Sequence, residues 1–409
     1  MTVVKQKLLA LSGDEAVAYA VKQSDVDVVA AYPITPQTII VEKFSEYVHN
    51  GEVDTEFICV ESEHSALTAC LAAAATGART FTASASAGLA LMHEILYVTS
   101  GCRAPVVMTI VNRALSAPIN IHCDHADSMV ERDASWIQIY VENSQEAYDS
   151  TIQAFKIAEH PDILLPAMVM LDAFFLSHTL ESVNVLLDAT VREFVGTRKI
   201  PLVRSHEGKL VPFKLDPKNP VTMGPLDLYD YYFEHKKQQE EAMQRALQTI
   251  KQVHDEYGEI SGRRYGNGLI DPYRLEDADI AAICVGSTAG TTKVVVDQLR
   301  AKGVKAGLLR LRTYRPFPSQ DLREALENVK AIAVMDRSNS FGAYGGPIFH
   351  EVRHVLYDAP TRPQVVNYIY GLGGRDMPQA LIHEIYKDLQ KIVKTKRVEK
   401  PVQFIGVRE

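Results

Sequence analysis

The sequence predicts an α/β protein of two domains, a larger parallel-sheet domain followed by a smaller one. Three observations carry that expectation. A chain of 409 residues with 46% apolar and 23% charged content is too long for one ordinary hydrophobic core. Through the first half, short β-branched runs alternate with longer helical stretches, as in a parallel sheet covered by helices. From Asp277 onward a second, shorter series of the same kind begins.

The elements follow in order. Val26 to Ala31 is a β-branched run that ends at Tyr32-Pro33-Ile34-Thr35-Pro36, where Thr35 fits a helix N-cap and Pro36 the first helical position. That helix should reach about Val48. Glu56 to Val60 is the next strand, and Ser62 to Thr76 a helix rich in Ala, thin enough to let another backbone or a ligand approach closely. Arg79 to Ala83 reads as strand, Gly88 to Ser100 as helix and Pro105 to Val111 as a buried strand. Asn112 to Asp133 is a long polar segment, and such a loop inside a compact domain is usually functional. Gln145 to Ala158 returns to helix and Ile163 to Leu171 to strand. Arg198 to Tyr232 holds five of the 19 prolines and reads as an irregular connection. Glu234 to Tyr257 is a charged helix with one apolar stripe, Met243, Leu247, Ile250, Val253 and Tyr257, which suits an inter-domain or subunit-facing position. In the second series Ile280 to Val285, Lys305 to Leu311, Ala331 to Met335 and Gln364 to Ile369 are strands, with a helix from Thr291 to Lys302. The expected division is 1–232, a linker 233–274 containing the charged helix, 275–392, and a tail 393–409.

Composition excludes several classes of function. The net charge of −8 offers no basic excess for a phosphate backbone, so nucleic acid is not an expected partner. Apolar runs such as Leu67 to Ala75 fall short of the ~20 residues that a membrane-spanning helix needs. Met1 to Lys7 lacks the apolar core of a signal peptide, so the expected location is cytoplasmic, with no membrane partner. The cysteines, Cys59, Cys70, Cys102, Cys123 and Cys284, are spaced by 11 residues or more and form no C-x-x-C pair. Zinc ribbons and four-cysteine clusters need close-set thiolates, so neither is expected here, and most of the five should be small buried hydrophobes.

In parallel sheets ligands sit at the carboxyl ends of strands. Four marks fall there: Tyr32-Pro33-Ile34-Thr35, Glu61-Ser62-Glu63, Ser84-Ala85-Ser86-Ala87-Gly88 and Asn112-Arg113. Arg113 should emerge at the sheet's edge, where a guanidinium can hold a carboxylate in bidentate fashion. Spacing alone favours an ordinary salt bridge to Asp124 or Glu131. Glu63 opens its helix, where the dipole favours a carboxylate, and as a helix-start acid it needs no further role. Gly286 to Gly290 fits a helix cap packed on the neighbouring strand, the favoured reading, or an anion site at a helix N-terminus.

Tyr32-Pro33-Ile34-Thr35-Pro36-Gln37-Thr38, Val60-Glu61-Ser62-Glu63-His64-Ser65-Ala66, Asn112-Arg113-Ala114-Leu115-Ser116-Ala117-Pro118-Ile119-Asn120 and Asp124-His125-Ala126-Asp127-Ser128-Met129 resemble the alpha subunit of the pyruvate:ferredoxin oxidoreductase family. So do Tyr314-Arg315-Pro316-Phe317-Pro318, Asp336-Arg337 with Ser340-Phe341-Gly342, and Gly371-Leu372-Gly373-Gly374-Arg375-Asp376, which extends the resemblance over nearly the whole chain. It implies a thiamine-diphosphate-binding, pyrimidine-type parallel-sheet domain followed by a smaller transketolase C-terminal-like α/β domain. The implied enzyme oxidatively decarboxylates a 2-oxo acid to acyl-CoA and CO2, and passes electrons to ferredoxin or a nucleotide acceptor. Also implied are the roles of single residues. Glu63 would hydrogen-bond the cofactor's aminopyrimidine and so promote loss of the thiazolium proton. Tyr32, Pro33 and Gly88 would line the cofactor pocket, while Thr35 and Arg113 would hold the substrate carboxylate.

No metal ligand is implied for this chain. Thiamine enzymes bind diphosphate and Mg2+ through a Gly-Asp-Gly segment, which is missing here, Gly13-Asp14-Glu15 being the nearest string. The resemblance therefore implies a beta subunit that completes the cofactor site, gamma and ferredoxin-like delta subunits that carry 4Fe-4S clusters, and coenzyme A as co-substrate. A dimer of hetero-oligomers is the implied assembly, with an NAD-linked flavoprotein subunit as an optional addition.

Ala85-Ser86-Ala87-Gly88 departs from the Ser-Ser-Gln-Gly usual in similar family members, so Ala87 stands where a pocket-side Gln is expected. Either this enlarges and dries the pocket for a bulkier 2-oxo acid, such as phenylglyoxylate or 2-oxoisovalerate, or Ala87 faces a neighbouring helix and carries no information on substrate. Pyruvate is the first expectation because the other motifs match that subgroup. A reading from another class stays open, a non-catalytic nucleotide-binding or regulatory protein with Gly286 to Gly290 as its ligand loop. Asp124 and His125 are open between substrate, coenzyme A and their own loop.

Overall fold

Residues 4–408 are described by a computed structural model; Met1 to Val3, part of the stretch read above for signal-peptide character, lie outside them, as does Glu409. The β-branched runs form a seven-stranded sheet in the order Thr313–Arg315, Ile137–Tyr140, Ala167–Asp172, Val107–Asn112, Thr80–Ser84, Val28–Ala31, Glu56–Cys59. Its neighbours are parallel except at one edge, where Thr313–Arg315 lies antiparallel to Ile137–Tyr140. Apolar clusters cover both faces, so central strands such as Val107–Asn112 are buried throughout and read as unbroken apolar runs. A second sheet has the order Ile270–Tyr273, Ala306–Leu311, Ile280–Cys284, Ala331–Asp336, Gln364–Ile369, Val402–Phe404, antiparallel only at Ile270–Tyr273.

Several elements differ from the sequence expectation. Thr35 is not an N-cap. The side chain of Gln37 is buried and donates to the Tyr32 oxygen at 2.8 Å, closing a turn through the two prolines, and the helix begins only at Thr38 and runs to His49. The strand expected from Ile163 starts at Ala167, because Ile163 and Leu164 both donate their N–H to the His160 oxygen in a turn. The expected Gly88 to Ser100 helix is two helices, Ser86–Leu91 and His93–Gly101. Inside the polar Asn112 to Asp133 segment lies a one-turn helix, Ala126–Met129. The charged helix is longer, Tyr232–Ser261, and its stripe faces this chain: Met243, Ile250, Val253 and Tyr257 are buried in the core of the first sheet's outer layer. The proline-rich connection contains a hairpin, Leu202–Arg204 with Leu210–Pro212. Within the expected tail, Val402–Phe404 pairs with Gln364–Ile369. Gln6–Leu11 with Glu181–Leu186, and the helix Asp188–Val195, are further elements that the periodicity did not mark.

Among the described residues all five cysteines are free thiols, with Cys70, Cys123 and Cys284 buried and Cys59 exposed. No helix among them is long and apolar enough to cross a membrane.

Two buried carboxylates join the sheets. Glu146, on the helix Ser144–Ala158, receives Arg310 Nη1 at 2.6 Å and Arg312 Nε at 2.8 Å, all three side chains being buried. Burial raises the carboxyl's pKa, but the two guanidinium groups outweigh it and hold the group below its ordinary value. Asp172 ends its strand against the second domain. It accepts from His125 Nε2 at 2.7 Å, Arg337 Nη1 at 3.0 Å, and Ser287 through both Oγ at 2.5 Å and N at 3.1 Å. Here too burial pushes the carboxyl up, and His125 and Arg337 overcome it and hold the group far below the usual range. The Gly286 to Gly290 loop is thus filled by the chain's own carboxylate, which removes the reading of that loop as a nucleotide site.

Removing one partner of a buried ion cluster costs about 3–5 kcal/mol. Glu146→Gln should therefore lower the urea midpoint of the chain by a corresponding amount, followed by fluorescence of the buried Trp136, whereas Lys43→Ala, which removes an exposed pair with Glu46, should barely move it. Because its pKa is depressed in the fold, Asp172 adds stability above the unfolded carboxylate value of about 4 and loses it as the pH falls towards the folded value. The stability gap between the native chain and Asp172→Asn should be full near about pH 7 and shrink below about pH 4. A gap independent of pH would contradict the ion-pair assignment.

Candidate active site

The helix Glu63–Thr76 starts where the first sheet's strands end. Ser62 caps it, its Oγ accepting from Ser65 N at 3.2 Å, which leaves Glu63 as the first helical residue. Glu63 is only 7% exposed, yet no donor among the described residues reaches its carboxylate. Glu146 and Asp172 are paired, and Asp14, enclosed without a donor, is pushed well above the ordinary carboxylate range by burial; Glu63 differs from all three in opening its helix at the carboxyl ends of the strands, where a partner from outside the chain can reach it. Gly88 packs directly on it: a Cβ there would stand 2.6 Å from Glu63 Oε1 and 2.6 Å from Ser84 Oγ, so only glycine leaves the carboxylate in place. Ser84 Oγ is itself buried without a partner.

Arg113 follows the strand Val107–Asn112 and is 8% exposed. Its Nη1 donates to the Thr35 oxygen at 2.9 Å and its Nε to the Asn120 oxygen at 3.2 Å. The salt bridge favoured from spacing is absent: Glu131 pairs with His93 Nδ1 at 2.7 Å, and Asp124 accepts from Ala126 N at 2.9 Å and Gly373 N at 3.3 Å. Two carbonyls orient the guanidinium without neutralising it, and Nη2 finds no acceptor among the described residues. Such a group is prepared to receive an anion.

The structure therefore brings Thr35 to Arg113 and Glu63 to Gly88. What joins the two pairs is Asp127, which had no assigned role in the sequence reading. Its carboxylate accepts from Ser86 N at 2.9 Å, Arg113 N at 2.9 Å, Asn112 Nδ2 at 2.7 Å and Ser128 N at 2.8 Å. Burial raises its pKa to about 6 against the pull of these N–H groups. One buried acid thus fixes the backbone before Gly88 and the backbone of Arg113 together. The available signal was an acid on the only helical turn of a long polar loop. Tyr32, Pro33 and Thr35 are exposed at the carboxyl end of Val28–Ala31, and Ala87 is exposed on this chain as well.

Cys123, His125 and Asp172 place three donor atoms within 4.8 Å of one another, the one such group of metal-binding type among the described residues. Arg337 Nη1 already sits 3.3 Å from Cys123 Sγ and 3.0 Å from Asp172, and a thiol with an imidazole is a poor donor set for Mg2+. His125 thereby belongs to the seam between the sheets, and Asp124 to its own loop and the Gly373 turn.

Comparison with known proteins gives the family. A family model described as "Pyruvate flavodoxin/ferredoxin oxidoreductase, thiamine diP-bdg" matches residues 19–255, and one described as "Pyruvate:ferredoxin oxidoreductase core domain II" matches residues 278–382. Pyruvate synthase subunit PorA of Thermotoga maritima is 49% identical over 401 residues, 98% of each chain, and that of Methanocaldococcus jannaschii is 51% identical over 381 residues, 93% of this chain and 94% of the relative. Ketoisovalerate oxidoreductase subunit VorA of Pyrococcus abyssi is 44% identical over 398 residues, 97% of each. Among solved structures, 2-oxoglutarate:ferredoxin oxidoreductase from Magnetococcus marinus, with 2-oxoglutarate, coenzyme A and succinyl-CoA bound, shares the fold at a TM-score of 0.73 and 18% identity. The match covers 93% of this chain and 65% of that one. With both of its domains matched in order and its relatives aligned from end to end, the chain belongs to the pyruvate:ferredoxin oxidoreductase family, as the alpha subunit of a 2-oxoacid oxidoreductase.

Proposed function

We propose that this chain supplies the pyrimidine half of a thiamine diphosphate site in a complex that oxidatively decarboxylates pyruvate to acetyl-CoA and CO2. The observation that carries this reading is the Glu63 carboxylate, buried and unpaired above a glycine that must stay without a side chain. That cradle fits an aminopyrimidine, whose ring nitrogen offers the missing hydrogen-bond partner. Thiamine diphosphate, when bound, supplies the electron sink that a 2-oxo acid needs to lose CO2. Glu63 would hold the proton shared with the ring nitrogen, and Tyr32 and Pro33 would line the approach to it. Arg113 takes the substrate carboxylate on its free guanidinium nitrogen while the Thr35 hydroxyl adds an oriented donor. Excess stabilisation of that carboxylate opposes its departure as CO2, so this pair orients more than it binds.

The other half of the site belongs to a partner. The chain lacks Gly-Asp-Gly, and its one metal-type cluster among the described residues suits Mg2+ poorly, so a beta subunit supplies the diphosphate and metal contacts. Scattered free cysteines leave 4Fe-4S clusters to gamma and delta subunits, and free thiols including the exposed Cys59 suit the reducing cytoplasm. Coenzyme A as co-substrate is supported by the ligands of the solved neighbour. Two relatives near 50% identity support pyruvate, while the ketoisovalerate relative and the exposed Ala87 keep a branched 2-oxo acid as the second substrate.

Glu63→Ala should lower turnover of the assembled enzyme by about a hundredfold or more without disturbing subunit assembly on gel filtration. Full activity in that variant would sink the catalytic reading. Assayed with pyruvate, 2-oxoisovalerate and phenylglyoxylate, the enzyme should give its highest kcat/KM with pyruvate; preference for either larger acid would instead assign Ala87 to an enlarged pocket.

A further inference from the structure

The loop that orients Arg113 is bonded to the second domain. Asn120 accepts the Arg113 Nε–H on its backbone oxygen at 3.2 Å and donates its own Nδ2 to the Gly373 oxygen at 3.0 Å. Gly373 N returns to the Asp124 carboxylate at 3.3 Å, Gly374 N donates to the Cys123 oxygen at 2.6 Å, and His125 N to the Arg337 oxygen at 2.9 Å. Gly373 has φ +63, and a Cβ on it would stand 2.5 Å from Asn120 Nδ2, so a side chain there would displace the Asn120 amide from the Gly373 oxygen. Within its own loop Asn120 needs only Oδ1, which accepts from His122 N at 2.7 Å. Its donor is spent on a carbonyl 253 residues away in the chain.

We propose that Asn120 is a positioning residue for Arg113, through which the Gly371 to Arg375 turn of the second domain sets the substrate affinity of a pocket built on the first. The proposal rests on Arg113 as the partner of the substrate carboxylate. Two of the three guanidinium nitrogens are pinned, one by Thr35 and one by Asn120. If Asn120 is released from Gly373, its carbonyl shifts, the guanidinium plane tilts, and the fork no longer meets a carboxylate squarely. Substrate binding then weakens more than the chemical step.

The test is steady-state kinetics on the assembled enzyme, purified with its partner subunits, for Asn120→Ala, Arg113→Lys and the double variant. Loss of one ordinary hydrogen bond sets the scale, so Asn120→Ala should raise KM for the 2-oxo acid about fivefold or more, with a smaller change in kcat. In the Arg113→Lys background, where no fork remains to be oriented, the same substitution should add little. Gly373→Ala should reproduce the KM-selective effect from the other side of the seam. If Arg113→Lys leaves KM unchanged, the pocket reading itself fails. If Arg113→Lys raises KM but Asn120→Ala only lowers the melting temperature, or if the two effects add in full, the positioning role is overturned and the pocket reading survives.

Discussion

Charge buried at the seam between the two sheets is the constraint on which the rest of the molecule depends. Glu146 cannot leave water alone, and what compensates it is a pair of arginines from the second domain. Once Arg310 and Arg312 are gripped, the next residues, Thr313–Arg315, are laid against Ile137–Tyr140 and become the edge strand of the first sheet. Asp172 repeats the device nearer the carboxyl ends of the strands, holding Arg337 and Ser287. An apolar seam would tolerate sliding. Carboxylates that need donors at fixed angles do not, so the relative placement of the sheets is set to within hydrogen-bond tolerance.

That placement decides the geometry of the candidate site. The loop from Asn112 to His125 lies where the two sheets meet, and its geometry is dictated from both sides: Asp127 holds its start against Ser86, and the Gly373 turn holds its end. Along the seam Glu146 and Asp172 are paired, while Arg310 Nη2, Arg337 Nε and His125 Nδ1 are buried without an internal partner; Glu63 and the outer nitrogen of Arg113, at the strand ends, find no partner among the described residues either.

The candidate site was largely legible before the fold was known. Glu63, Thr35, Arg113 and Gly88 all stand at carboxyl ends of strands, where loops and helix starts converge in any open parallel sheet. Less legible were the roles that depend on partners far away in the chain. Spacing pointed Arg113 towards Asp124 or Glu131, acids of the loop that follows it; in the fold Glu131 turns to His93 and Asp124 to Gly373. Asp127 looked like one acid among several, and only its four donors single it out.

The sequence by itself determined most of the parallel strands of both sheets, the division into a larger and a smaller α/β part, the family, and the absence of a Gly-Asp-Gly metal segment, since these depend on local periodicity and contiguous motifs. Tertiary structure alone decided that the stripe of the Tyr232–Ser261 helix faces inward, that Thr313–Arg315 joins the first sheet, and that Asp172 occupies the Gly286 to Gly290 loop. The physical reason is the same in each case. Short edge strands, buried ion pairs and loop acceptors carry almost no periodic signal, because the group that satisfies them lies tens or hundreds of residues away and is chosen by packing.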